Sequence, residues 1–281
     1  MKKIFVFIFA IALLSGSAKA WNGGLHAAVA DIAHHNLTEE ARAGIAKCLD
    51  GYSIVYEAQW LDDVSKSEEY KHVKTWHNVP VTASCKVIPA KKAAKSKVQA
   101  INEAGALEAL YKAVEVLKNR DKHSKETVAD NIRYVVYIMG DLHCPSHYVY
   151  EDRIANRDYN YYYGKEKKPR SYMKFWEAAA ITDTFNWKTN EFVHQLSRLP
   201  QERVAELTAG TLTAWVERNA AEYRFIYDLM PEDQRLKKDD YREWLNNFYP
   251  LATDHIGVAG YRLAALLNGL FDASQPAIKT K

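Results

Sequence analysis

The chain has 281 residues, 38 Lys and Arg against 35 Asp and Glu, and three cysteines. So even a balance does not argue for a polyanion partner, and any basic site must be local. Cysteines at 48, 85 and 144 without a C-x-x-C exclude thiolate zinc sites of the finger type; Cys48 can pair with Cys85 in an oxidising compartment, which leaves one thiol over.

The first twenty residues read as a secretory signal peptide. Lys2 and Lys3 form a charged start, Ile4 to Leu14 is an unbroken apolar run, and Ala18-Lys19-Ala20 is a small-x-small cleavage site. The run is too short to span a membrane as a helix, and no cysteine stands near the cleavage site to take a lipid. Cleavage after Ala20 predicts a secreted or periplasmic product of 261 residues that begins at Trp21. That length is the upper end for one domain and is enough for a large core. No later apolar stretch is long enough to cross a membrane.

Helical periodicity dominates the mature chain. Thr38 before Glu39 and Glu40 reads as a helix start, as does Ser124 before Glu126. Leu107, Leu110, Val114 and Leu117 repeat at helical spacing, and so do Ile132, Val135, Val136 and Met139. Gly257 to Phe271 predicts a long apolar helix, while Val79 to Ala90 has room for one short β-hairpin. The expectation is an all-α fold in a single domain over residues 21–281, with 274–281 disordered. Two long basic loops interrupt it, Lys86 to Lys97 and the tyrosine-rich Arg153 to Lys174.

The histidines are weighed by their neighbours. Gly140-Asp141-Leu142-His143-Cys144-Pro145-Ser146-His147 closes a helix with a carboxylate and two imidazoles. Trp60-Leu61-Asp62 and Trp76-His77 lie one loop apart, and His26 follows the new terminus by five residues. A free α-amine becomes a metal ligand once deprotonated, so a cleavage site that exposes Trp21 beside His26 points to metal chemistry. Isolated histidines such as His34, His35, His72, His123, His194 and His255 read as structural or solvated, and Asp62 could equally be a helix cap.

Five pieces, in order, resemble the S1/P1 family of zinc-dependent single-strand nucleases. The family opens Trp-Gly-x-x-Gly-His, as Trp21 to His26 nearly does; its Trp-Ala-Asp stands at Trp60 to Asp62, and its Trp-His at Trp76-His77. Its His-x-x-Gly-Asp-x-His-x-Pro-x-His falls on Tyr137 to His147, and its Ala-Gly-x-Arg-Leu-Ala-x-x-Leu-Asn on Ala259 to Asn268. The resemblance implies a helical fold similar to zinc phospholipase C and P1 nuclease. It also implies up to three zinc ions, and hydrolysis of single-stranded DNA or RNA by a metal-activated hydroxide, with removal of 3′-phosphate from nucleotides. Carried over, one ion takes Trp21, His26 and the bridging Asp141. A second takes Asp62, His77 and Asp141, and a third takes His147 and Glu177. Asp62 and Asp141 become the catalytic carboxylates, and Asn156 a substrate contact.

The chain departs from the pattern at functional positions. Tyr137 replaces a ligand His of the second site, Met173 a ligand His of the third, Glu177 an Asp, and Ser65 an Arg expected to hold phosphate. Asp152 to Asn156 keeps the end residues of an Asp-x-Gly-Gly-Asn loop but loses both glycines. The first site is therefore complete and the other two are reduced. That leaves an active zinc endonuclease as the leading expectation, with single-stranded nucleic acid or nucleotides as partner. A catalytically impaired relative that binds nucleotides or another partner, and a phospholipase C-type esterase, are the alternatives. No protein partner is evident.

Overall fold

Local caps set the first helices. In the computed structural model, which describes residues 21–93, 105–153, 160–163, 165, 167–172, 175–182, 184–185, 187–229 and 234–281, helix α1 runs Gly23–His35. Its cap is the Asn22 side chain, which accepts from the Leu25 N–H at 3.0 Å. Helix α2, Glu39–Cys48, is capped by Thr38 as its sequence predicts. The turn between them is pinned to the far end of the chain: the Thr38 N–H donates to Asn268 Oδ1 and Asn268 Nδ2 donates to the Asn36 carbonyl.

After the short α3, Trp60–Val64, come α4, Ala106–Lys118, and α5, Lys125–Asp141, started by Ser124. The two apolar stripes read from the sequence, Leu107 to Leu117 and Ile132 to Met139, are buried, and these helices pack on each other. Helices α6, Thr189–Leu196, α7, Gln201–Thr208, and α8, Leu212–Leu229, lead to α9. Helix α9, Lys238–Phe271, spans 34 residues and absorbs Pro250 in its interior, so it begins well before the apolar run at Gly257. It packs along α1, and at Gly260 the approach is so close that a Cβ would lie 2.4 Å from Ile32 Cγ2.

The strands are few and short. β1, Val79–Val81, pairs in parallel with β2, Tyr148–Tyr150, with Val79 opposite Tyr148. The local hairpin expected of this stretch is short: one antiparallel bridge, Val81 to Val87, flanked by Thr82 N–H to the Lys86 carbonyl at 2.8 Å and Ile88 N–H to the Pro80 carbonyl at 2.9 Å, while the other partner of β1 lies 69 residues on. β3, Asn160–Tyr163, lies between β4, Arg170–Ser171, and β5, Gln234–Leu236.

Two further expectations change. Residues 274–281 are ordered: the Lys279 and Thr280 carbonyls accept from the Leu212 and Thr213 N–H groups, at 3.0 and 3.2 Å. Those donors have no partner within the first turn of α8, so the tail supplies what the helix start lacks. Cys48, Cys85 and Cys144 are all free thiols, so no Cys48–Cys85 bridge forms. Among the described residues no helix is long and apolar enough to cross a membrane.

Candidate metal and phosphodiester site

The parallel pairing of β1 with β2 does the first work. It lays the end of Trp76-His77-Asn78 beside Ser146-His147, so the two imidazole rings stand 6.1 Å apart and Asn78 Oδ1 lies 3.2 Å from His147 Nδ1. Helix α5 ends beneath them and presents Asp141, which is fully buried. His77 Nδ1 sits 2.9 Å from Asp141 Oδ2. From the other side α1 brings His26, whose Nε2 is 3.2 Å from Asp141 Oδ1 but out of hydrogen-bond alignment.

Gly140 makes this approach possible. A Cβ there would stand 2.6 Å from His26 Nδ1 and 2.7 Å from Cε1, so only glycine lets the ring lie against the helix end. Burial by itself would raise the Asp141 carboxyl; the facing His147, His26 and His77 rings outweigh it and hold the group down at about 2. Asp141 is therefore an anion at any ordinary pH, set among imidazoles.

Tyr137 lies one helical turn before Asp141, on the same face of α5. Its ring stacks on His26 at 4.2 Å and 14°, and meets His77 edge-on at 5.8 Å. Its hydroxyl donates to Asp62 Oδ1 at 2.9 Å. Burial and the Asp141 and Asp62 carboxylates push the phenol well above its ordinary value, so it remains a neutral donor.

Asp62 arrives on α3, placed there by an ion pair that sequence spacing does not reveal. Arg133 of α5 grips Glu57 with two donors, at 2.8 and 3.2 Å, adds Asp130 at 3.0 Å, and covers the Trp60 ring at 4.8 Å. This locks the turn Tyr56–Gln59, and α3 behind it, onto α5. Asp62 heads no helix; the position before α3 is Gln59. Ser65, at the expected phosphate-binding position, donates to the Asp62 carbonyl instead.

Glu177 comes from a π-helical turn, Phe175–Ala179. Its carbonyl accepts from the Asn22 N–H at 2.8 Å, which ties the residue after Trp21 to the Glu177 segment. Trp21 is fully buried. Asp62 and Glu177 are half-buried, whereas His26, His77, Asp141 and His147 are buried. Met173 and Asn156 lie outside the described residues.

A buried network backs the 140–147 turn. Arg262 Nη1 donates to His143 Nε2 and Asn219 Oδ1 at 3.0 and 2.9 Å, and its Nε to the Leu207 carbonyl. His143 Nδ1 in turn meets the Met139 carbonyl at 2.7 Å, and Tyr223 donates to the His143 carbonyl at 2.8 Å. Tyr223 also touches His255, which pairs with Glu222 at 2.9 Å. His143 and His255 are thus structural, and Arg262, the charged residue of the C-terminal motif, holds the turn.

The tyrosine-rich segment divides. Tyr161 and Tyr172 are buried and pack with Phe175 and Trp244. Tyr162 and Tyr163 are half-buried at the surface, under Arg235 and Arg170. Tyr159 lies outside the described residues.

His26, His77 and His147 therefore stand around Asp141, and Asp62 is joined to them through Tyr137. Their neighbours fit the S1/P1 Nuclease family profile, which matches residues 21–272. The chain belongs to the S1/P1 nuclease family. Its class is thereby that of nuclease-type hydrolases acting on phosphodiester bonds. No curated protein matches the chain.

Whether an S1/P1-type metal fits can be tested on these atoms. Among the described residues no group of three or more His, Cys, Asp or Glu side chains stands arranged to hold an ion. Yet His26 Nε2 and Asp141 Oδ1 are buried, adjacent, and without a hydrogen-bond partner among the described residues. Leaving two such atoms unsatisfied costs a protein about 1–3 kcal/mol each, and a cation between them would satisfy both. The pair fits a cation. The position beside Asp62 fits one poorly, because Tyr137 already donates to that carboxylate.

Proposed function

We propose that this chain is a zinc-dependent hydrolase of phosphodiester bonds in single-stranded DNA or RNA, acting outside the cytoplasm after cleavage between Ala20 and Trp21. Removal of 3′-phosphate from nucleotides belongs to the same reading. The observation that carries it is the buried His26 and Asp141 pair, two unsatisfied metal-type donors within a family of nucleases.

The Trp21 amine, His26 and Asp141 are the residues that would hold the principal ion. Bound there, zinc would supply a hydroxide at neutral pH and a Lewis acid for the phosphate. His77 orients Asp141 through its 2.9 Å contact. His147 and Glu177 would hold a further ion, more weakly for want of the second imidazole. Asp62 would face an entering phosphodiester, and Asn156 would contact the substrate. Imidazole and carboxylate donors suit zinc, and the α-amine completes a nitrogen and oxygen set.

A second reading has its own observation. Tyr137 donating to Asp62 closes part of the site, which favours a relative that binds nucleotides without cleaving them. The test is hydrolysis of single-stranded DNA and RNA by protein beginning at Trp21, with zinc supplied and then chelated. The hydrolase reading predicts cleavage that stops on chelation and is lost in His26→Ala. A folded, zinc-loaded protein that cleaves neither would establish the second reading, and hydrolysis of phosphatidylcholine in preference to both would point to the phospholipase C branch.

A further inference from the structure

Two carboxylates, Asp62 and Asp141, converge on one ring, that of Tyr137. Each needs compensation, since a buried or half-buried anion is costly unless it is paired or hydrogen-bonded. Asp141 finds it at one oxygen in His77, at 2.9 Å, while its other oxygen faces His26 Nε2 without a hydrogen bond. Asp62 finds it in the Tyr137 hydroxyl at 2.9 Å. The phenol is 1 % exposed and held on two sides, by the His26 ring stacked at 4.2 Å and the His77 ring edge-on at 5.8 Å. Its ring lies flat against His26, and His26 in turn lies where a Cβ on Gly140 would stand. A cation approaching Asp62 from the Asp141 side would meet an O–H proton and the edge of a ring, where imidazole would have offered a lone pair.

We propose that Tyr137 stands in for a metal ion: its hydroxyl holds Asp62 in place of a cation, so the ion of the His26 and Asp141 pocket is bound without Asp62. This rests on the metal-dependent reading of that pocket. It assigns Tyr137 as a positioning residue and removes Asp62 from the ligand set. Tyr137→His, by exchanging a donor for a lone pair and vacating the space of the hydroxyl, opens a new position between Asp62, His77 and Asp141.

The experiment counts zinc, with zinc alone as the probe, in protein beginning at Trp21 after exhaustive dialysis. Elemental analysis gives the number of ions and titration calorimetry their affinity. Asp62→Asn is expected to keep the wild-type zinc count. Tyr137→His is expected to gain one ion, and Tyr137→His with Asp62→Asn to lose that ion again. His26→Ala is expected to lose one ion from the wild-type count. Loss of zinc in Asp62→Asn alone, or a weakening of about tenfold, 1.4 kcal/mol, would overturn the proposal while leaving the metal reading intact. So would a folded Tyr137→His, judged by thermal unfolding, that gains nothing. Should Tyr137→His fail to fold, the Asp62→Asn count decides by itself. A wild type that binds no zinc sinks the metal reading and the proposal with it.

Discussion

At the residue scale the site turns on contacts too close to be inferred from spacing. Asp141, His77 and His26 are singled out in the sequence by the motifs that resemble the S1/P1 pattern, since each taken alone reads as readily as a structural residue. What joins them is not legible there. Gly140 reads as part of a motif, yet its role is to leave room for the His26 ring, since a Cβ there would lie 2.6 Å from Nδ1. Gly140→Ala is expected to cost about 1–3 kcal/mol, the usual range for overpacking, and to turn His26 away from Asp141. Urea unfolding would read the first effect. Loss of zinc-dependent hydrolysis out of proportion to the loss of stability would read the second. Tyr137 is a similar case. Its identity shows that an imidazole is missing, but only the geometry shows that the phenol engages Asp62 and leans on His26.

At the element scale, helix starts and buried stripes follow from the sequence because caps and 3.6-residue periodicity are local. Thr38, Ser124 and the stripes on α4 and α5 all sit where their pattern requires. The partner of β1 is not local, and an apolar triplet carries no record of which strand it will meet. Nor does sequence distance reveal that Arg133 and Glu57, 76 residues apart, fix α3 to α5. Arg133→Ala leaves Glu57 as a buried, uncompensated charge. It is expected to destabilise by about 3 kcal/mol, measurable as a fall in the denaturation midpoint, and to free the helix that carries Asp62. Arg262→Lys is the companion case on α9. One ammonium cannot reach the Leu207 carbonyl, His143 and Asn219 together, so stability falls despite the retained charge.

At the scale of the whole molecule, the helical class is legible in the sequence and the ordered tail is not. Residues 274–281 look disordered by composition, because their contribution is made by carbonyls, which every residue has. Truncation after Asp272 strands the Leu212 and Thr213 N–H groups, and uncovers Gly269, over which the Pro276 carbonyl passes so closely that a Cβ would lie 2.5 Å from it. A loss of about 2–3 kcal/mol is expected, seen as a lower Tm. Stability should also depend on pH through the network behind the site. Burial, with Arg262 beside it, pulls His143 well below 6.5; burial pulls His255 below 6.5, partly opposed by Glu222. Both bind protons less readily in the fold than in the unfolded chain, which takes them up as pH falls through 6.5. Their stabilisation is thus present above 6.5 and declines as pH falls below it, with a slope of at most about 1.4 kcal/mol per pH unit for each histidine. Thermal unfolding between pH 7.5 and 5 checks the slope, which His255→Gln should flatten.

The stacking of Tyr137 on His26 also makes the site visible to magnetic resonance. An aromatic ring 4.2 Å above an imidazole, and nearly parallel to it, shields the protons that lie over its face. The His26 ring protons should therefore resonate upfield of those of the surface histidines and return to ordinary shifts in Tyr137→Leu. Anything that arrives at His26 Nε2 will move these signals whether or not a phosphodiester is ever cut.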